Sequence, residues 1–120
     1  MSGQQISNQV FSIKAKGAGN ALRAIGVGGT QVTAIGSRVI GFSEHDYTID
    51  QVIKVNRGIT VMAEAGAIID ATTTTLKTDS VGRVIPSGVL AIGEFICGVI
   101  KPGQIATAVG YPVEIIPMYP

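Results

Sequence analysis

Glycine and proline leave few stretches of this chain long enough for a stable helix. Sixteen glycines and five prolines stand among its 120 residues. Inside a helix a glycine costs about 1 kcal/mol relative to alanine and a proline about 3 kcal/mol. The stretches between them are rich in Val, Ile and Thr, whose branched Cβ favours the pleated strand. Alanine is common, but it sits beside glycine and not in an apolar stripe of helical period. Short apolar runs between regular turn signals read as an all-β fold, a small β-barrel or β-sandwich with short strands and Gly-rich loops.

The pattern predicts strands over residues 10–15, 31–35, 38–42, 52–56, 60–63, 76–78, 84–86, 95–100 and 112–117. Alternation in Val52-Ile53-Lys54-Val55-Asn56 points Ile53 and Val55 inward and Lys54 and Asn56 outward. Phe11 and Ile13 share a face in the same way. Thr78-Asp79-Ser80-Val81-Gly82-Arg83 is the clearest turn and joins two short strands into a hairpin. Asn56-Arg57-Gly58 is a second tight turn. Ser43 and Asp46 make a weak helix-capping pattern, but Thr48, Ile49 and the strand that follows favour a loop.

The length suits one domain, which the sequence divides into an extended N-terminal arm, residues 1–12, and a single β domain, residues 13–120. The arm begins with a polar run from Met1 to Gln9. The end, Tyr111 to Pro120, is apolar and bounded by prolines, which fits an edge strand. A bare apolar edge invites pairing, so a neighbouring subunit is its expected partner.

Charge is scarce. Only 14% of residues are Asp, Glu, Lys or Arg, against about a quarter in ordinary globular domains. Some apolar surface is therefore expected to be covered by partners. The net charge of +1 is spread singly, with no Trp and no basic stripe, which excludes the usual nucleic-acid footprint. A lone cysteine, Cys97, rules out an internal disulfide framework. The start lacks a signal-type segment, and the apolar runs fall short of the roughly 20 residues a membrane span needs. The chain reads as soluble and made in the cytoplasm.

The residues that carry chemistry do not converge. His45 stands between Glu44 and Asp46 with no second histidine to share a metal or serve a nucleophile, so it reads as a surface residue. Cys97 lies in an apolar run, where a thiol is a poor nucleophile and a good small core residue. Gly17-Ala18-Gly19-Asn20-Ala21-Leu22 begins like a dinucleotide loop but has Leu22 where the third glycine belongs. Gly26-Val27-Gly28-Gly29-Thr30 lacks the Lys-Ser/Thr of a phosphate loop. The eight carboxylates are spread evenly. No catalytic, cofactor-binding or metal site is expected.

The second half has a recognisable order of residues. It runs Asn56-Arg57-Gly58-Ile59-Thr60-Val61, Ala63-Glu64-Ala65-Gly66-Ala67-Ile68, Leu76-Lys77-Thr78-Asp79-Ser80-Val81-Gly82-Arg83-Val84-Ile85-Pro86, Gly98-Val99-Ile100 and Val113-Glu114-Ile115. Upstream stand Ile40-Gly41-Phe42 and Gln51-Val52-Ile53-Lys54-Val55. This order resembles the small capsid decoration, or cement, proteins of tailed bacteriophages, over roughly Ile25 to Ile116. Asp70 stands near where a glycine often begins the polar strand in that family, Thr72 to Thr75 lengthens the loop, and the tail after Ile116 is more apolar.

The resemblance implies a non-enzymatic structural protein of the virion. It would bind the outer surface of an icosahedral phage head after synthesis in the host cytoplasm. It would need no cofactor. Its partners would be the major capsid protein and its own copies, as a homotrimer in preference to a dimer. It would work mechanically, by adding interface area between capsid subunits. The arm and the apolar end are the expected contact segments, with Ile6, Val10, Phe11, Tyr111, Ile115, Met118 and Tyr119 as candidate interface residues. The competing readings are a carbohydrate- or host-surface-binding β module, a small β-barrel hydrolase using His45, and another phage subunit from the tail or connector.

Overall fold

The computed structural model describes residues 10–119. Every regular element among them is a strand: β1 Val10–Lys14, β2 Ala24–Gly26, β3 Val39–Ser43, β4 Val52–Asn56, β5 Val61–Glu64, β6 Thr75–Thr78, β7 Val84–Pro86, β8 Gly98–Ile100 and β9 Pro112–Pro117. They form two antiparallel sheets, ordered β1-β4-β3-β2 and β5-β9-β8-β6-β7. The all-β expectation holds, as do most of the expected strands and the loop over 43–51.

Alternation builds the first sheet as the sequence suggests. Ile53 and Val55 are buried while Val52 and Lys54 are exposed. They join Ala15, Ile25 and Tyr47 in a small core on the inner face, with Phe11, Ile13 and Ile40 packed half-buried against it. Strand β3 departs from strict alternation. Ala24 faces Phe42, Ile25 faces Gly41 and Gly26 faces Val39, so Ile40 is an extra residue in a bulge. In a regular strand Val39 and Phe42 would lie on opposite faces; the extra residue returns them to one face. That outer face, with Ala24 and Val32, packs onto the second sheet.

The second sheet holds the larger core. Val61, Ala63, Leu76, Val113 and Ile115 are almost fully buried under Ala24, Val32, Val39 and Phe42. Backbone hydrogen bonds stitch the two sheets together: Ala24 N–H to Gly82, Glu64 N–H to Leu22 and Gly36 N–H to Thr78, at 2.8, 3.0 and 2.9 Å. The Arg23 guanidinium adds an ion pair to Glu64 and a bond to the Val81 carbonyl. The Asp79 carboxylate caps the β6–β7 turn, accepting from the Val81 and Arg83 N–H groups at 2.9 Å each.

Four expectations need correction. Strand β2 was not anticipated, because three residues between glycine-rich loops carry almost no pattern. Residues 31–35 supply one bridge, Gln31 to Ile25, and no strand. The strand expected over 95–100 is shortened to Gly98–Ile100. Strand β9 is not an edge; it lies between β5 and β8. Its prolines occupy the last pairs of each ladder, opposite Glu64 and Gly98, so the interior donors from Val113 to Ile116 are intact. Strand β1 pairs with β4 from Val10 onward.

Candidate functional site

The chemistry-bearing residues stay apart. His45 is exposed, its Nδ1 beside the Asp46 carbonyl at 3.2 Å. Cys97 is buried, which pushes its thiol up to about 12. Among the described residues no group of His, Cys, Asp and Glu could hold a metal ion, and no helix is long and apolar enough to cross a membrane.

What the surface does offer is apolar area. The outward face of the second sheet carries Met62 opposite Glu114, and Thr75, Val99 and Ile116 in one row across three strands. Lys101 reaches the Glu114 carboxylate at 2.9 Å, and that bond, with one from Thr60, holds its pKa below the usual carboxylate range. The loop after β7 starts from Ser87, whose hydroxyl lies 2.6 Å from that of Thr75 in this row. Its tip, Val89 to Ile92, is bracketed by Gly88 and Gly93, both at positive φ. Val89 is 97% exposed and Ile92 is 106% exposed.

This tip is pinned at its base. The Glu94 carboxylate accepts from the Ala91 N–H and from Lys77 Nζ, both at 2.9 Å. Those two bonds, the backbone one first, lower its pKa. The Phe95 N–H then donates to the Gly36 carbonyl at 2.8 Å, and the Arg38 guanidinium lies 4.8 Å from the Phe95 ring centre. An exposed apolar tip on a fixed base loses little entropy when something covers it.

A cleft of about 490 Å³ lies beside this face, between the 70–74 turn and the β8–β9 loop, lined by Thr73, Ile100, Pro102 and Ile105. Its carboxylate, Asp70, is taken up by the Thr72 N–H and hydroxyl, which lower its pKa. The cleft therefore presents apolar side chains beside an Asp70 carboxylate engaged through Oδ1.

The candidate interface residues scatter across this picture. Val10, Tyr111 and Met118 are exposed. Phe11 is half-buried against the inner face of the first sheet. Tyr119 packs against the large core with Arg57 stacked 4.3 Å from its ring centre, and burial pushes its phenol up to about 12. Ile115 is fully buried, because it shares with Val113 the face of β9 that is turned to the core, and does not belong to the surface set. Ile6 lies outside the described residues. The apolar tip at Val89 to Ile92 and the outward row Thr75, Val99 and Ile116 were not anticipated. The tip had a signal, four apolar residues between two glycines where a soluble loop is normally polar.

A scan against known protein families gives no match to this sequence, and a search of curated proteins gives none either. Among solved structures the fold is similar to the crystal structure of the head fiber gp8.5 N base in bacteriophage phi29. The two share a TM-score of 0.70 at 17% sequence identity, over 92% of this chain and 94% of that one.

Proposed function

We propose that this chain is a structural protein of a bacteriophage head, bound to the outer surface of the shell. One observation carries the reading: the likeness to a head-fiber base spans nearly the whole of both chains, so the shared unit is the complete fold. The apolar tip, the outward row of the second sheet and the low charge supply what a permanently assembled surface protein needs. In this reading the major capsid protein is the partner, and the chain strengthens contacts between capsid subunits by adding interface area. It also self-associates, with three subunits favoured over two, and repetition of one contact around a symmetric oligomer multiplies a modest affinity. Its role is binding, without catalysis or a cofactor.

The test is co-sedimentation of the purified chain with phage heads that lack it, followed by electron microscopy of the particles. Added density on the outside of the head is the expected result. Density at the tail or connector, or no binding to heads, would overturn the reading. Val89→Asp combined with Ile92→Asp is the informative variant, because both side chains are exposed and their loss spares the core. Removing residues 111–120 would be uninformative, since it deletes β9 and with it the second sheet.

A further inference from the structure

The two sheets are wound alike. The order β1-β4-β3-β2 is matched strand for strand by β5-β9-β8-β6, and β7 takes the place of the Gln31 bridge beside β2. The registers agree: Ile13 faces Ile53 and Lys14 faces Val52, as Ala63 faces Val113 and Glu64 faces Pro112. Just beyond, the Ala15 N–H donates to Gln51 and the Asp50 N–H to Ala15, as the Ala65 N–H donates to Tyr111 and the Gly110 N–H to Ala65, all at 2.8 Å. Asp50 and Gly110 share a positive φ, 68° and 96°. The isolated bridge Gly19 to Tyr47 has its counterpart in Ile69 to Ala106.

The sequence carries the same repeat in short form. Ala34-Ile35-Gly36-Ser37-Arg38-Val39-Ile40-Gly41 and Ala91-Ile92-Gly93-Glu94-Phe95-Ile96-Cys97-Gly98 share Ala-Ile-Gly-x-x-Val/Ile-x-Gly. Gly36 and Gly93 both have positive φ. Gly41 pairs with Ile25 and Gly98 with Leu76, and a Cβ on either glycine would collide with the neighbouring final strand of its own sheet. The molecule is two copies of one β unit in tandem.

The units do not meet as mirror partners. The outer face of the first (Ala24, Val39, Phe42) covers the inner face of the second (Val61, Ala63, Cys97). Such a head-to-tail contact leaves one of each face without its counterpart. The second unit's outer face, with Thr75, Ile96 and Val99 at the positions of Ala24, Val39 and Phe42, is only partly buried. The first unit's inner face has Phe11, Ile13 and Ile40 at the positions of Val61, Ala63 and Cys97, and they too are half-buried. The side chains differ in size: the acceptor positions grow to Phe, Ile and Ile, while on the donor side Phe42 shrinks to Val99 and Ala24 and Val39 grow to Thr75 and Ile96. Gly36 of the first unit is buried, with its N–H bonded to Thr78, whereas its counterpart Gly93 is open to solvent.

We propose that copies of this chain associate head to tail by reusing the interface within each one. The outer face of the second unit, at Thr75, Ile96 and Val99, packs on the inner face of the first unit of the next copy, at Phe11, Ile13 and Ile40. This deepens the self-association reading and rests on it. Repeat proteins extend by the same logic, each unit burying the face that its neighbour leaves open.

Light scattering on the full-length chain, with no phage heads present, tests the contact. Val99→Glu spoils the donor face and Ile13→Glu spoils the acceptor face, and circular dichroism reports whether each variant is folded. The wild type is expected to self-associate and each variant to run as a monomer. An equimolar mixture of the two is expected to form a dimer, because one intact donor then meets one intact acceptor. Ile116→Glu, at a position 37% exposed, replaces the donor variant if Val99→Glu does not fold. A mixture that stays monomeric overturns the proposal, because a contact between like faces gives no such rescue. Association retained by both variants overturns it while leaving self-association intact. A monomeric wild type at high concentration overturns both.

Discussion

The first and second sheets follow the same strand order with the same register, yet they are closed in different ways. The inner face of the second is roofed by side chains from elsewhere in the chain, chiefly Phe42 and Val39. The inner face of the first has no such roof among the described residues, and its own Phe11, Ile13 and Ile40 fill the space. Where one unit has Val61, Ala63 and Cys97, the other has larger groups. One backbone plan thus carries small side chains on the inner face that is covered within the chain and larger, half-buried ones on the face that is not.

That contrast can be broken most severely at Phe42. Phe42→Ala empties the roof of the second sheet and should cost about 3–5 kcal/mol. Urea unfolding should show one transition shifted to lower urea, since both sheets contribute to that core. A second transition appearing in the variant would mean that the units are independent of each other.

Next come the paired glycines. Gly41→Ala and Gly98→Ala each force a methyl against the adjacent strand, and overpacking of this kind should cost about 1–3 kcal/mol. Because the positions correspond, thermal melts should show similar losses. A large loss at one and none at the other would show that the match in strand order does not extend to packing.

Phe11→Ala should cost less, about 1 kcal/mol, because the ring is only half-buried in the isolated chain. Its effect should grow with protein concentration if a second copy covers it.

The smallest effect is electrostatic and belongs to the second unit. Glu94 and Glu114 both have lowered pKa values in the folded chain. A lowered carboxylate pKa contributes stability above its unfolded value, about 4.3, and that contribution is lost as pH falls through the folded value. Glu94→Gln should therefore flatten the acid limb of a stability-against-pH curve. The protection of the Ala91 N–H, which bonds Glu94, relative to its intrinsic exchange rate should fall at acid pH in the wild type. An unchanged acid limb would remove Glu94 from the account.

Much of this fold was legible where one face is buried and one is wet. Ile53 and Val55 point inward because β4 has a solvent side to contrast with, and the 78–83 turn is signalled by Asp79 and Gly82. Legibility failed where topology outweighs local pattern. The Pro-bounded end looks like an edge, and no local feature tells that Val113 and Ile115 will be flanked on both sides. The burial of Ile115 is a matter of face and not of edge, and the alternation Val113-Glu114-Ile115 marks it. Val32, Thr33 and Ile35 are β-branched, yet within residues 31–35 only Gln31 pairs, because the chain must turn at Gly36 to reach the other sheet. Ala34-Ile35-Gly36 and Ala91-Ile92-Gly93 are plain to see, but two short matches acquire meaning only when the strands around them are found to pair alike.

In each sheet the first strand waits for the last. Strand β5 has β9 as its ladder partner, and β9 is the final strand of the chain. During synthesis on the ribosome the second sheet therefore cannot be completed until β9 has emerged, more than fifty residues after β5. A prematurely terminated product would show an unfinished sheet with a greasy interior to proteases and chaperones.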